Sequence, residues 1–141
     1  MAAVAADGFL ALGAVQLGVL GGPGSAADRL EELVKRYVLF AYEHRTHYGL
    51  MLRTVPTEVG GSEGEALRDA ALSVFGRLVE AVRNTNPALT VDEAGRRAFL
   101  GWALAHGVVD VGKWGAALQP TLDAEALASD VGRAVRAMAL Q

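Results

Sequence analysis

An all-helical fold is what this sequence predicts, and three observations lead to it. Apolar residues recur at intervals of three and four through most of the chain. Alternation of apolar and polar residues is scarce, and no Asn-Gly or Asp-Gly turn separates two apolar runs, so strand signals are weak. Several periodic stretches also open on a residue able to cap a helix. The chain has 141 residues, enough for one domain with a real core, and 52% of them are hydrophobic against 21% charged. Such a composition favours folding over disorder.

Six helices follow in order. The first spans about 2–19 and ends in Gly21-Gly22-Pro23-Gly24, the strongest breaker in the chain. It carries one charge, Asp7, and a lone amide, Gln16. A secretory signal would need a basic start, and no Lys or Arg occurs before Arg29. A soluble, mostly buried helix is the expectation, with no membrane span. Ser25 caps a second helix, about 26–43, with Asp28 in its first turn and a stripe of Leu30, Leu33, Tyr37, Phe40 and Ala41. A short third helix covers about 46–53. Ser62 with Glu65 reads as a capping box for a fourth, reaching about Asn84. Thr90 with Glu93 is a second box, opening a fifth helix to about Val111. A loop is expected over 112–119. Asp123 then caps the last helix, about 124–140, with Leu122 and Leu127 as its hydrophobic staple.

The fifth helix is the most informative. No charge occurs between Ala98 and Val109. Phe99, Trp102, His106 and Val109 share one face, Ala94, Ala98, Gly101 and Ala105 form a small-residue stripe beside it, and Leu100, Leu104 and Val111 lie opposite. A helix apolar on all sides must be buried on all sides. A second subunit is the economical cover. The last helix is slim, through Ala124, Ala128, Gly132 and Ala134, with an apolar edge of Leu127, Val131, Val135 and Met138. The two helices from each protomer therefore predict a four-helix bundle across a two-fold axis, with Ala94, Ala98, Gly101, Ala105, Leu127, Val131 and Val135 at the interface and Leu100 and Leu104 as the alternative edge.

Composition also excludes chemistry. With no cysteine there is no disulfide, thiolate site or cysteine nucleophile. The net charge is −3 and no basic run exceeds two residues, so the chain has no electrostatic footprint for nucleic acid. The phosphate-cradling GxxxxGK[ST] pattern is missing, and Gly60-Gly61-Ser62-Glu63-Gly64, with no strand before it, reads as a loop feeding a capped helix rather than as a GxSxG elbow. His44 and His47 are three apart but straddle a helix break and lack a carboxylate partner at a fixed offset, so no metal is expected. Neither an enzyme nor a cofactor is expected.

The segment Gly101-Trp102-Ala103-Leu104-Ala105-His106-Gly107-Val108-Val109 resembles the Trp…His-Gly signature of the WHG-type C-terminal domain of tetracycline-repressor-type (TetR) regulators. Tyr37-Val38-Leu39-Phe40-Ala41-Tyr42-Glu43-His44, followed by Tyr48-Gly49-Leu50-Met51, resembles an upstream stretch of the same domain; Arg45 stands where that family often has proline. Met1 to Phe9 looks like the start of the linker helix that follows the recognition helix. The resemblance implies a TetR C-terminal-like bundle over 1–141, a homodimer, and a cytoplasmic transcription regulator or repressor that senses a small apolar or aromatic effector inside the bundle. It implies DNA binding only through a helix-turn-helix domain ahead of this segment; a cut chain or a misassigned start would account for its absence here. The alternative is a stand-alone helical interaction module. Candidate lining residues are Tyr37, Phe40, Tyr48, Met51, Phe75, Phe99, Trp102 and His106, with Tyr37, Tyr48 and His106 supplying the polar groups.

Overall fold

A computed structural model describes residues 2–141, apart from the side chains of Pro56 and Ala116. Every element among them is helical: α1 (Ala2–Leu20), α2 (Ala26–Glu43), α3 (Arg45–Arg53), a 3-10 turn (Pro56–Glu58), α4 (Gly61–Thr85), α5 (Val91–Gly112), a one-turn α6 (Gly115–Leu118) and α7 (Ala124–Leu140). The all-helical expectation holds, with its six longer helices in the expected places.

Caps explain most of the boundaries. Ser25 Oγ accepts from the Asp28 N–H while the Asp28 carboxylate accepts from the Ser25 N–H, a full capping box. Thr90 and Glu93 close the second box as expected. Asp123 accepts from the Ala126 N–H at the start of α7. The box expected from Ser62 and Glu65 does not form. There α4 begins two residues earlier, on Gly60 as N-cap without a side-chain bond, and Gly61 takes a φ of 71°, the left-handed region that favours glycine. The segment 112–119 is also less loop-like than expected, since α5 runs to Gly112 and Gly115–Leu118 forms a helical turn.

Two apolar clusters make the interior. One joins α1, α3 and α4 with Phe40 of α2, around Phe9, Leu12, Met51, Leu67 and Val74. The other joins α2, α4, α5 and α7, around Leu30, Val38, Val82, Ala98 and Val135. Tyr37 of α2 packs against both. Only one side of α1 enters the first cluster; Leu10 and Leu17 are exposed on the other. The expectation of a mostly buried α1 is thus corrected to a half-buried one, because α2, α3 and α4 pack against one side of it. By length and apolarity α1 could cross a membrane.

The small residues of α5 and α7 serve packing within the subunit. Ala94, Ala98, Gly101 and Ala105 are buried in a single chain. A Cβ on Gly101 would stand 3.0 Å from Val135 of α7, and one on Gly132 would stand 2.6 Å from the Glu31 carbonyl oxygen of α2. Glycine lets these backbones cross closely. Val131 and Val135 are likewise buried, while Leu127 is half-buried. Placing this stripe against a partner is therefore corrected: intrachain crossings use it up, and α5 instead turns Leu100 (56% exposed), Leu104 and Val111 outward. Beside the α2–α7 crossing, Arg136 donates to Asp28 at 2.7 Å and to Glu31 at 3.0 Å. The Ser25 backbone N–H, then Arg136, hold the Asp28 carboxyl down to about 2.

Candidate functional site

A cavity of about 560 Å³ lies between α1, α2, α3, α4 and α5. Each helix contributes through its apolar stripe. Phe9 and Gln16 come from α1, Leu33, Val34 and Tyr37 from α2, Met51 and Leu52 from α3. Val74, Phe75 and Leu78 come from α4, and Phe99, Gly101, Trp102 and Ala105 from α5. Val55, Leu72 and Phe99 also line it and are exposed, so the cavity opens between the 3-10 region, α4 and α5. Thr57 and the exposed Arg68 stand there too.

One wall holds a chain of polar groups. The Trp102 indole N–H donates to the Tyr37 hydroxyl oxygen at 2.9 Å. The Tyr37 and Tyr48 hydroxyls are 3.5 Å apart, a long contact, with their rings edge-on. Tyr48 Oη lies 2.8 Å from Nδ1 of His106. An indole can only donate. An orientation that finds an acceptor for every hydroxyl proton therefore runs from Trp102 through Tyr37 and Tyr48 to Nδ1 of His106. His106 also stacks on Trp102, with ring centroids 6.4 Å apart. Burial pushes the Tyr37 phenol up to about 12, against the lowering effect of its bonds with Tyr48 and Trp102. Burial above all pushes Tyr48 upward as well. Both phenols stay protonated over the physiological range and act as hydrogen-bonding groups.

Gln16 is the other polar feature of the wall. It is 5% exposed, the buried polar side chain in an otherwise apolar core. Its Nε2 donates to the Val74 carbonyl at 3.1 Å. A carbonyl cannot donate, which fixes the amide: nitrogen toward Val74, oxygen away. That oxygen, Oε1, has no hydrogen-bond partner among the described residues. Leaving such an acceptor buried and unpaired costs about 1–3 kcal/mol.

Five of the expected lining residues meet at the cavity: Tyr37, Met51, Phe75, Phe99 and Trp102. Phe40, Tyr48 and His106 do not line it. Phe40 is buried in the first cluster, stacked on His44 at 4.4 Å, while Tyr48 and His106 stand behind Tyr37 as its hydrogen-bond support. Sequence reasoning missed Gln16, Phe9 and Arg68. The signal for Gln16 lies in the sequence, as a lone amide in an uncharged helical stretch.

The chain is thus an all-helical bundle with an apolar cavity between α1 and α5 that opens to the surface beside the 3-10 region. The family described as "Tetracyclin repressor-like, C-terminal domain" matches residues 30–138. The chain belongs to that family of regulatory domains. No curated relative and no solved structure matches it.

Proposed function

We propose that residues 1–141 form the effector-sensing and dimerisation domain of a TetR-type transcription regulator, which binds a small apolar or aromatic molecule between α1 and α5. The observation that carries this reading is the cavity. Its volume of about 560 Å³ falls in the range of small-molecule sites, and its wall is apolar with a few placed polar groups. Occupancy has a structural consequence, because α1 and α5 are both walls. A ligand that fits one spacing of these helices better than another biases the domain toward it. By resemblance α1 is the helix nearest a DNA-reading unit, so this bias would reach DNA. Such a regulator works in the cytoplasm and needs no cofactor or catalytic group.

The same reading includes a homodimer. Leu100, Leu104 and Val111 on the outer edge of α5, with Trp114, Leu118 and Leu122 just after it, are exposed. Apolar surface gathered in this way marks an interface rather than a solvated face. The outer side of α7, with exposed Ala126, Ala134 and Ala137, is slim enough to lie beside it.

Titration with N-phenyl-1-naphthylamine, an uncharged fluorophore that brightens in dry surroundings, tests the cavity. The expected result is saturable binding of one probe per subunit, lost when Ala71→Trp fills the space with an indole. Equal brightening by both proteins would place the probe on the surface and argue against the reading.

A further inference from the structure

The cavity wall is charged at its opening. On α4 the lining residues Arg68, Ala71, Phe75 and Leu78 are spaced by three and four, so Arg68 opens the same stripe that carries Phe75 and Leu78 along the cavity. Leu72, one turn after Arg68, is exposed at the opening, and Arg68 is exposed beside it. Among the described residues Arg68 is the one charged side chain in the lining, and it forms no ion pair. Polar groups deeper in the wall are committed or covered: Trp102 N–H and Tyr37 Oη are bonded to each other, and Gln16 Oε1 is buried. We propose that the ligand of this cavity is an amphipathic anion, with its apolar body between α1 and α5 and a carboxylate at the opening, held by the Arg68 guanidinium.

The proposal rests on the sensing reading above and narrows its ligand class. A planar guanidinium presents paired N–H donors that match the two oxygens of a carboxylate. At the opening the carboxylate keeps part of its hydration, so it escapes the penalty of carrying a charge into an apolar interior. A cationic head would meet like charge there, with no carboxylate in the lining to offset it. The Thr57 hydroxyl, exposed in the same lining, can also donate to the anion. The apolar body supplies most of the affinity, and Arg68 selects the head group.

The test compares decanoate, decanol and decylammonium, which share one tail and differ in charge. Affinities are measured calorimetrically for the wild-type chain, Arg68→Gln and Arg68→Glu; both variants are expected to fold, since they alter an exposed side chain that makes no ion pair. In wild type decanoate is expected to bind roughly fivefold more tightly than decanol, the scale of a partly solvated ion pair, and decylammonium most weakly. In Arg68→Gln decanoate is expected to lose this advantage while decanol binds as before, and in Arg68→Glu decylammonium is expected to become the preferred ligand. The wild-type preference should also shrink in roughly 1 M salt. Equal binding of decanoate and decanol by wild type overturns this proposal alone. So does a preference for decanoate that survives in Arg68→Gln, which would assign the carboxylate to another group. Failure of all three ligands while N-phenyl-1-naphthylamine still binds also overturns this proposal alone. Failure of the naphthylamine as well overturns the sensing reading, and this proposal with it.

Discussion

The indole N–H of Trp102 on α5 donates to the hydroxyl of Tyr37 on α2 across 2.9 Å, at the wall shared by the cavity and both apolar clusters. The bond ties together two helices 65 residues apart in sequence and sets the position of the Tyr37 ring. Removing one partner strands the other. Tyr37→Phe leaves the indole N–H without its acceptor and is expected to lower stability by about 1–3 kcal/mol. Trp102→Phe is expected to cost a similar amount, with loss of packing added. The double variant should cost less than the sum of the two. Urea unfolding of all four proteins measures this, and strictly additive losses would show that the pair is not coupled.

The tyrosines also predict behaviour at high pH. Burial raises the folded-state value of Tyr37 from the ordinary 10.0 to about 12. The unfolded chain therefore releases this proton first. Stability from the buried, neutral phenol is complete below pH 10 and is lost as pH rises toward 12. Tyr48 is shifted in the same direction and adds to the slope. Unfolding free energies collected between pH 9 and pH 12 (roughly the window of the linkage) should fall with pH, and Tyr37→Phe should flatten part of that fall. A slope unchanged by the substitution would remove Tyr37 from the account.

Glycines offer a local test of the helix crossings. A Cβ at position 132 would lie 2.6 Å from the Glu31 carbonyl oxygen, and a backbone atom cannot swing aside. Gly132→Ala is expected to destabilise by roughly 1–3 kcal/mol, although alanine is the better helix former. At Gly76 on α4, nothing lies within 4 Å of an added Cβ. There Gly76→Ala should stabilise by about 0.5–1 kcal/mol. Thermal melts of the pair give the signs directly, and a stabilising change at position 132 would contradict the close α2–α7 crossing.

For assembly, the burial of the small stripe changes which residues to alter. Leu104→Glu places a charge on the exposed edge of α5 and is expected to shift a wild-type dimer to a folded monomer in sedimentation equilibrium. Gly101→Arg points instead at Val135 inside the subunit and is expected to unfold the chain rather than merely divide it. A wild type that stays monomeric at tens of micromolar (roughly the weak limit for such interfaces) would remove the dimer.

Much of the fold was legible because each helix carries its own local signals. Ser25, Thr90 and Asp123 announce their helices by chemistry within one turn, and the periodic stripe of α2 points inward as spaced. The box at Ser62 and Glu65 failed because Gly60 and Gly61 offered an earlier start that needs no side-chain cap. For the site, five lining residues could be found because large apolar side chains on one face meet in a shared interior. Tyr48 and His106 were misplaced by one layer, since sequence spacing cannot distinguish a group that lines a cavity from one that braces it. The small stripe of α5 misled for a related reason. Small residues announce close helix contact, and only the three-dimensional arrangement says whether the contacting helix belongs to the same chain.

The central claim is that the space between α1 and α5 binds a small apolar molecule. Thermal unfolding with and without N-phenyl-1-naphthylamine tests it most directly, because a ligand of the folded state alone stabilises by mass action. At a hundredfold excess over Kd the gain is about 2.7 kcal/mol, a rise in Tm on the order of 10 °C for a chain this size. The account predicts that rise for wild type and none for Ala71→Trp. An equal rise in both proteins, or none in either, would contradict it.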